Sequence, residues 1–351
     1  MINQERLNNL LLHTNKGING AVRAIYDLQE GNIKPTKVSL EFLNELCLGN
    51  GILPNLIISF LARPGQGKTY IAQTIRKDLL DDPTRDIGIL YFNWEMPWFS
   101  ILLIELKKRL KKSFKDILGN KPTDAEIAEM TSVADELRDK RFTSVDIALD
   151  PEEFEYVARK YIEENIDREQ LYIFIDHIGI GKGKNKLEIM FLIMEICNRL
   201  KLDYPNKLTF FPLSQLNREI ERLWRTKDVN PINLRVTSEY IYGADAIMQY
   251  SDIVVASVIP QKAGLEKYCT VNRERYEHLE DHITDEDLNS PKDYVRLKGL
   301  NRVYYDVLKK RLDDDTPTLY CEVLDPEKEE MIQAFAIREK DSTEDDDEII
   351  F

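Results

Sequence analysis

The sequence predicts an α/β fold in which a mostly parallel β-sheet is flanked by helices. Short, continuously apolar runs alternate with longer segments of helical periodicity, as is typical of a parallel sheet covered on both faces. The first apolar run is followed by a segment ending in Gly67-Lys68-Thr69 and then by a helix-like stretch. A strand, a glycine-containing loop and a helix in this order are typical of a phosphate-binding loop.

The elements before the first core strand are predicted to be helical. Apolar residues recur at roughly helical spacing over residues 2–30, and the Gly- and Pro-containing stretch 31–36 breaks this helix. A second, short helix is predicted over about residues 39–48. We therefore separate an N-terminal helical segment, residues 1–35, from the domain that follows.

The remaining elements alternate along a single large domain, residues 36–336. Core strands are predicted at 56–61, 87–94, 171–176, 208–214 and 252–259. Helices are predicted near 68–80, 97–112, 124–140, 151–165, 186–202 and 239–250. Residues 260–300 are polar and irregular and are interpreted as an insertion, and two last strands, about 303–309 and 319–324, are expected to form a hairpin that closes the sheet.

Composition and charge exclude several classes of protein. The chain has 351 residues, 43% of them hydrophobic, which is enough for a large core. It has no apolar run long enough to span a membrane and no signal-peptide pattern at its start. Its net charge of −14 argues against a protein that coats nucleic acid with its whole surface, but not against a local basic loop. The four cysteines lie far apart, which favours reduced thiols and a cytoplasmic protein.

The segment 62–69 is predicted to bind the phosphates of a nucleotide. Backbone N–H groups of the loop and of the helix N-terminus cradle the phosphates in such motifs. Lys68 would neutralise phosphate charge, and Thr69 would give a hydroxyl to Mg²⁺. The motif departs from its strict form at Ala62, where Gly is usual. The predicted nucleotide-binding residues are Arg63, Pro64, Gly65, Gln66, Gly67, Lys68 and Thr69.

Polar residues at the ends of three other predicted strands fit the same site, because functional groups gather at the carboxyl ends of parallel strands. Glu95 is a candidate to polarise the attacking water, although acids also favour helix N-termini. Asp176 is the expected partner of Mg²⁺, although many buried strands end in Asp. Gln215 is placed to sense the γ-phosphate, although Ser214 beside it would also serve as an ordinary helix N-cap. Together these groups favour one nucleotide site over coincidence.

The residues quoted above resemble the ATPase domain of DnaB-type replicative helicases, which has a RecA-like core. The resemblance spans about residues 36–334 and is carried by segment 62–69, by Asn-Trp-Glu-Met-Pro at 93–97 and by Phe-Ile-Asp-His at 174–177. Its most specific part is Leu-Ser-Gln-Leu-Asn-Arg at 213–218. It resembles a short, phage-like form that lacks the N-terminal primase-binding domain, in which residues 1–35 would dock on the neighbouring subunit.

The resemblance implies an ATP-dependent 5′→3′ DNA helicase that forms a hexameric ring on single-stranded DNA in a bacterial or phage-infected cytoplasm, with ATP and Mg²⁺. Glu95 would activate water, Asp176 would hold Mg²⁺, and Gln215 would couple the γ-phosphate to DNA-binding loops. Lys309 and Arg311 would reach the γ-phosphate of the neighbouring subunit. The alternative for these two residues is a solvated strand end, and the sequence after them departs from the family pattern.

Two segments are predicted to face DNA. Segment 181–186 combines two glycines with Lys182, Lys184 and Lys186, which suits a loop that grips the phosphate backbone. The second segment, 239–249, has Gly243 near its middle but carries little charge. The alternative for the first segment is a solvated Gly-Lys turn.

The C-terminal residues 337–351 are predicted to be an acidic, disordered tail. Residues 345–351 resemble the terminal peptide of bacterial single-stranded-DNA-binding proteins, which would make the tail a docking site for a replication partner. The alternatives are a solubility tail and a tail that shields the DNA loops. For the whole chain, two other functions stay open: a DNA-stimulated ATPase of the recombinase or loader kind without unwinding, and an ATP-gated assembly protein without a nucleic acid role.

Overall fold

The structure is a computed structural model, and it describes residues 22, 25–49, 51–95, 97–226, 231–265, 302–311, 318–325 and 330–337. Within these residues the strands are β1 (Leu56–Ala62), β2 (Ile87–Asn93), β3 (Phe142–Val145), β4 (Gln170–Asp176), β5 (Leu208–Gln215), β6 (Ile253–Val258), β7 (Arg302–Lys310), β8 (Leu319–Asp325) and β9 (Glu330–Ile337). They form one sheet in the order β3-β2-β4-β5-β1-β6-β7-β8-β9.

The helices lie between and beside these strands. They are α1 (Glu41–Leu46), α2 (Lys68–Asp81), α3 (Trp98–Leu110), α4 (Phe114–Gly119), α5 (Asp124–Leu137), α6 (Pro151–Glu164), α7 (Lys186–Asp203), α8 (Glu219–Arg225), α9 (Ala244–Tyr250) and α10 (Pro260–Ala263). Short 3₁₀ turns cover Ile178–Ile180, Pro231–Leu234 and Ser238–Tyr240. None of the described helices is long and apolar enough to cross a membrane.

The parallel part of the sheet separates two hydrophobic cores. Strands β3, β2, β4, β5, β1 and β6 pair in parallel, and β6 through β9 pair antiparallel. Successive side chains of β1 alternate between the cores: Ile57 and Leu61 pack with α6, α7 and α9, whereas Ile58 and Phe60 pack with α1 and α2. Because both faces are covered, every residue of β1, β2 and β4 is buried, which explains their unbroken apolar sequences.

The predicted fold class and the five core strands are confirmed, with ends that differ by one or two residues. Five elements were not predicted: the edge strand β3, the last strand β9, and the short helices α4, α8 and α10. Helix α10 lies in the first residues of the stretch 260–300, which was predicted to be irregular. Strand β3 has four half-exposed or exposed residues, so its sequence carries no continuous apolar run. The closing hairpin is therefore a three-stranded antiparallel meander, β7-β8-β9.

The helix predicted over residues 239–250 is wrong in its first half. Gly243 has a left-handed backbone (φ +73°) and is the N-cap of α9, so only residues from Ala244 onward are α-helical. Of the predicted N-terminal helix 2–30, residues 25–29 are helical, and residues before 22 lie outside the described part of the chain. The predicted insertion from residue 266 onward and the tail beyond Ile337 also lie outside it.

Candidate active site

The predicted phosphate-binding loop connects β1 to α2. Gly65 and Gly67 both have left-handed backbone angles, φ +79° and +93°, which residues with a Cβ rarely adopt. Gly67 is the N-cap of α2 and has no side chain to cap the first turn. The free N–H groups of that turn and the helix dipole therefore form a site that favours an anion.

The loop is fastened to the carboxyl end of β6, which the sequence did not predict. The Ser257 hydroxyl donates a hydrogen bond of 2.7 Å to the carbonyl oxygen of Gln66. The Ile259 N–H donates to the Gln66 side-chain oxygen, and the Lys262 ammonium donates at 3.0 Å to the carbonyl oxygen of Gly65. Gln66 is only 4% exposed, so its side chain holds the loop in shape and leaves only its backbone for a nucleotide.

The side chain of Arg63 also binds protein groups around the loop. Its guanidinium forms an ion pair of 2.6 Å with Glu221 on α8 and donates at 2.9 Å to the carbonyl oxygen of Leu216. Arg63 therefore joins the first residue of the loop to the segment that follows β5. A contact between this side chain and a nucleotide stays a prediction.

Two strand ends, those of β2 and β4, bring charged groups to Lys68. The ammonium of Lys68 lies 2.9 Å from Glu95 Oε2 and 3.1 Å from Asp176 Oδ1. The Thr69 hydroxyl donates to Asp176 Oδ2 at 3.4 Å, and the Tyr91 hydroxyl donates to the same oxygen at 3.3 Å. The residues predicted from separate motifs thus meet at the carboxyl edge of the parallel sheet, as the topology requires.

The two carboxylates differ in environment. Asp176 is 1% exposed, and burial raises its pKa above the ordinary value while Lys68 offsets part of the increase. Glu95 is more accessible: burial opposes its ionisation, but the Lys68 ammonium outweighs burial and lowers the pKa of Glu95. Glu95 is therefore the carboxylate that stays ionised at the open side of the site.

The residues at hand fit an ATP-bound Mg²⁺ ion. Thr69 and Asp176 present oxygen ligands within 3.4 Å of each other, and Asp176 is a buried carboxylate whose charge Lys68 balances only in part. Mg²⁺ is usually held by one or two protein oxygens, with phosphate and water completing its shell. Among the described residues there is no cluster of three or more His, Cys, Asp or Glu that could hold a metal without a nucleotide.

Gln215 is connected to the end of β4 through His177, which the sequence analysis did not single out as functional. The Gln215 side-chain amide lies 3.2 Å from His177 Nε2, and His177 Nδ1 accepts a hydrogen bond of 3.0 Å from the Gly179 N–H. Burial, followed by the Lys68 charge, lowers the pKa of His177 to about 4, so the ring is neutral. His177 follows Asp176 directly, through a cis peptide bond.

The two segments predicted to face DNA are neighbours. Segment 181–186 follows the 3₁₀ turn after β4 and leads into α7, which packs against α9. A Cβ placed on Gly243, at the start of α9, would lie 2.6 Å from Met190 Cε on α7. The second segment also hydrogen-bonds to the end of β5, since the Tyr242 N–H donates to the carbonyl oxygen of Gln215 at 3.4 Å.

The three lysines of segment 181–186 are presented differently. Lys182 is 64% exposed, with its ammonium 3.8 Å from Glu153, and Lys184 is exposed. The Lys186 ammonium donates at 3.1 Å to the carbonyl oxygen of Gly181 and so closes the loop. The structure thus brings the predicted DNA-binding residues together, and their contact with DNA stays a prediction.

Lys309 and Arg311 lie at the opposite end of the strands, near the amino end of β1. Lys310 pairs with Ile253, which pairs with Ile58 near the start of β1. The guanidinium of Arg311 donates to Asp252 Oδ1 at 3.2 Å and to the carbonyl oxygen of Gln249 at 2.9 Å. Ile58 is four residues, or about 13 Å of strand, from the last residue of β1. Arg311 therefore cannot serve the phosphate loop of its own chain, and action on a neighbouring subunit stays a prediction.

The chain matches the family described as DnaB-like helicase C terminal domain over residues 39–275. This range includes every predicted site residue except Lys309 and Arg311. No curated protein sequence matches the chain.

The solved structures that share the fold include a helicase and an ATPase domain. One is a DnaB-like replicative helicase, described together with its interactions with primase, with 14% identity and a TM-score of 0.58 over 89% of this chain and 65% of that chain. The chain thus spans less than two thirds of that helicase. The other is described as an ATPase domain, with 15% identity and a TM-score of 0.57 over 92% of this chain and 99% of that chain. Since the family match covers more than half of the chain, the fold is RecA-like and the chain belongs to the family of DnaB-like helicase C-terminal domains.

Proposed function

We propose that the chain is an ATP-dependent replicative DNA helicase that moves 5′→3′ along single-stranded DNA as a hexameric ring and hydrolyses ATP at its subunit interfaces. One observation carries the proposal. The nucleotide groups Lys68, Glu95 and Asp176 converge at one edge of the sheet, and Gln215 lies between them and the two segments that we assign to DNA. An ATP site with a physical link to a cationic loop is what a DNA-driven ATPase requires.

The site residues divide the work of ATP hydrolysis. Lys68 and the backbone N–H groups of the loop would bind the β- and γ-phosphates, which withdraws the ammonium from Glu95. Glu95, freed from its ion pair, would then accept a proton from the attacking water. Thr69 and Asp176 would hold Mg²⁺, which neutralises charge on the phosphates when it is bound. Gln215 would contact the γ-phosphate and report its loss.

The ring accounts for the position of Arg311. This residue lies at the end of the strands opposite to its own phosphate loop, so it completes an active site only in a head-to-tail assembly, where one end meets the other. Lys309 lies beside it and contacts the carbonyl oxygen of Met248. Single-stranded DNA would then pass segments 181–186 and 239–249 of every subunit. We further propose a cytoplasmic protein that meets a replication partner through residues 337–351.

Strand displacement on a forked duplex tests this function directly. The protein should separate a fork with a free 5′ tail in the presence of ATP and Mg²⁺, and it should fail on a fork with only a 3′ tail. Lys68→Ala is the control for ATP dependence. If the ATPase is stimulated by single-stranded DNA but neither fork is separated, the chain is a DNA-stimulated ATPase of the recombinase or loader kind. If DNA changes neither ATP hydrolysis nor assembly, the proposal fails.

A further inference from the structure

His177 links the predicted γ-phosphate sensor to the turn before the predicted DNA loop by two hydrogen bonds. Its two ring nitrogens point to different partners: Nε2 lies 3.2 Å from the Gln215 amide, and Nδ1 lies 3.0 Å from the Gly179 nitrogen. Gly179 lies in the 3₁₀ turn that leads into segment 181–186. One side chain therefore touches the end of β5 and the loop after β4.

The hydrogen-bond pattern fixes which groups donate. Because His177 Nδ1 accepts the Gly179 N–H, the proton of the neutral ring is on Nε2. Nε2 then donates. The Gln215 nitrogen faces Nε2 in the structure, so a half-turn of the terminal amide is needed to present the amide oxygen as the acceptor. This orientation turns the amide NH₂ of Gln215 away from the ring. A residue that senses a γ-phosphate must donate hydrogen bonds, and His177 leaves the donors of Gln215 free to do so.

The ring also has a close steric contact with the loop. A Cβ on Gly179 would lie 2.8 Å from His177 Cε1 and 3.1 Å from Nδ1, so the imidazole packs directly on the bare Cα of Gly179. A rotation of the ring toward Gly179 would therefore displace the turn. On its other side the strand end is fixed, because the Asp176 carbonyl accepts hydrogen bonds from the N–H groups of Trp94 (2.8 Å) and Glu95 (3.2 Å).

We infer that His177 is a positioning residue that transmits the state of the γ-phosphate from Gln215 to the DNA-facing loop 181–186. The inference deepens the proposed function and rests on it. When Gln215 turns toward a γ-phosphate, its oxygen either breaks the hydrogen bond to the imidazole or pulls the imidazole into a new orientation. In both cases the imidazole shifts Gly179. Lys182 follows three residues later and is tied to the domain by its N–H, which donates to the carbonyl oxygen of Leu149.

Three substitutions separate the two hydrogen bonds of the ring. His177→Gln keeps an N–H donor near the position of Nε2 and loses the acceptor for Gly179. His177→Asn keeps an acceptor near Nδ1 and loses the donor to Gln215. His177→Phe keeps a ring of similar shape and loses both bonds. The measurement is the ratio of ATPase rates with and without saturating oligodeoxythymidylate.

The ratio should fall at least about fivefold in all three variants, the lower end of typical coupling between two sites. A residue that merely stabilises the fold would lower both rates together and leave the ratio unchanged, which would overturn the inference. Retention of the full ratio by either His177→Gln or His177→Asn would overturn it too, because one of the two bonds would then be dispensable. An unstimulated wild-type enzyme would instead refute the proposed function.

A second readout does not need DNA. Trypsin cleaves after Lys182 and Lys184, so its rate at these bonds reports on the loop. In the wild-type protein, cleavage should differ between the ADP and ATPγS complexes, and in His177→Phe the difference should vanish while ATPγS still binds. His177→Gln serves in its place if the Phe variant does not fold. An ADP/ATPγS difference that survives in the variants, or that is absent from the wild-type protein, contradicts a relay through His177.

Discussion

At the residue scale, Lys68 is the central positive charge of the candidate site and must change partners when ATP binds. It is 8% exposed and bridges two carboxylates, Glu95 and Asp176. Since phosphoryl transfer depends on positioned charge, Lys68→Ala should reduce the rate of ATP hydrolysis at least about 100-fold. Lys77→Ala, which removes an exposed lysine from the same helix, is the matched control. Unchanged turnover in a Lys68→Ala protein would contradict the ATPase assignment.

A second residue-scale prediction concerns Glu322, which is buried on β8, outside the candidate site. The Tyr305 hydroxyl donates to its carboxyl group at 2.8 Å, and burial, with Glu41 adding like charge, raises the pKa of Glu322 from 4.5 to about 7. The folded state therefore keeps a proton that the unfolded state loses above pH 4.5. Stability should fall as pH rises from about 4.5 to 7 and level off above, by about 3 kcal/mol from this group.

Glu322→Gln tests this prediction, because an amide has the shape of the protonated carboxyl group and does not ionise. The variant should be more stable than the wild-type protein at pH 8, by up to about 3 kcal/mol, and equally stable near pH 4.5. Urea unfolding at a series of pH values measures both effects. Glu152→Gln on the exposed side of α6 is the control. A stability difference that does not change with pH would contradict the prediction, because it would show that Glu322 ionises at the same pH in the folded and the unfolded protein.

The charged residues of the candidate site could be predicted from the sequence, whereas the hydrogen bonds that hold these residues and the phosphate loop in place could not. Lys68, Glu95 and Asp176 stand next to strand ends, and the parallel topology is enough to bring them together. The hydrogen bond from Ser257 to Gln66 depends on the register of β6 against β1, which no local pattern encodes. The role of His177 was missed for a similar reason, because its partner Gln215 is far away along the chain.

At the element scale, the strands that are buried on both faces were predicted best from the sequence. The central strands are continuously apolar because both faces are covered, and they were predicted to within two residues. Strand β3 is a half-exposed edge strand, and its composition does not distinguish it from a loop. Gly243 has the opposite effect: residues 239–250 have helical periodicity, but the left-handed glycine delays the helix to Ala244. This break leaves residues 239–243 outside the α-helix, and Gly243 lies against Met190 on α7, the helix that segment 181–186 leads into.

That adjacency supports an element-scale prediction for DNA binding. Replacing Lys182, Lys184 and Lys186 together with Ala should weaken binding of single-stranded DNA and flatten its salt dependence. Each lost phosphate contact should reduce the slope of log K against log[salt] by about 0.7. Titrations at several salt concentrations measure the slope.

The matched control removes the same charge elsewhere. Lys115, Lys121 and Lys140 are exposed lysines outside both DNA segments, and their replacement with Ala changes the net charge equally. This control should weaken binding far less and keep the slope. Equal slopes in the two triple variants would place the DNA site on another part of the surface.

At the scale of the whole molecule, the two halves of the proposed active site lie at opposite ends of the parallel strands. The phosphate loop follows the carboxyl end of β1, and Arg311 follows β7 near the amino end of β1. In the single chain, Arg311 is 49% exposed and pairs with Asp252, which also binds Lys201 at 2.8 Å. The guanidinium is thus accessible to a neighbour, and under the ring proposal the chain alone has an incomplete site.

Subunit mixing is the sharpest test of this arrangement. Arg311→Ala should keep nucleotide binding but lose turnover, and Lys68→Ala should lose turnover through its own loop. In a one-to-one mixture, an interface is complete when an Arg311→Ala loop meets the arginine of a Lys68→Ala subunit. Random assembly makes this pairing with a chance of one half times one half, so about a quarter of the interfaces should be active. The mixture should then hydrolyse ATP faster than either parent.

Mixing Lys68→Ala with the Lys68→Ala/Arg311→Ala double variant creates no complete interface and should stay inactive. If the first mixture gains nothing and light scattering finds only monomers, Arg311 does not act between subunits and the ring proposal is wrong.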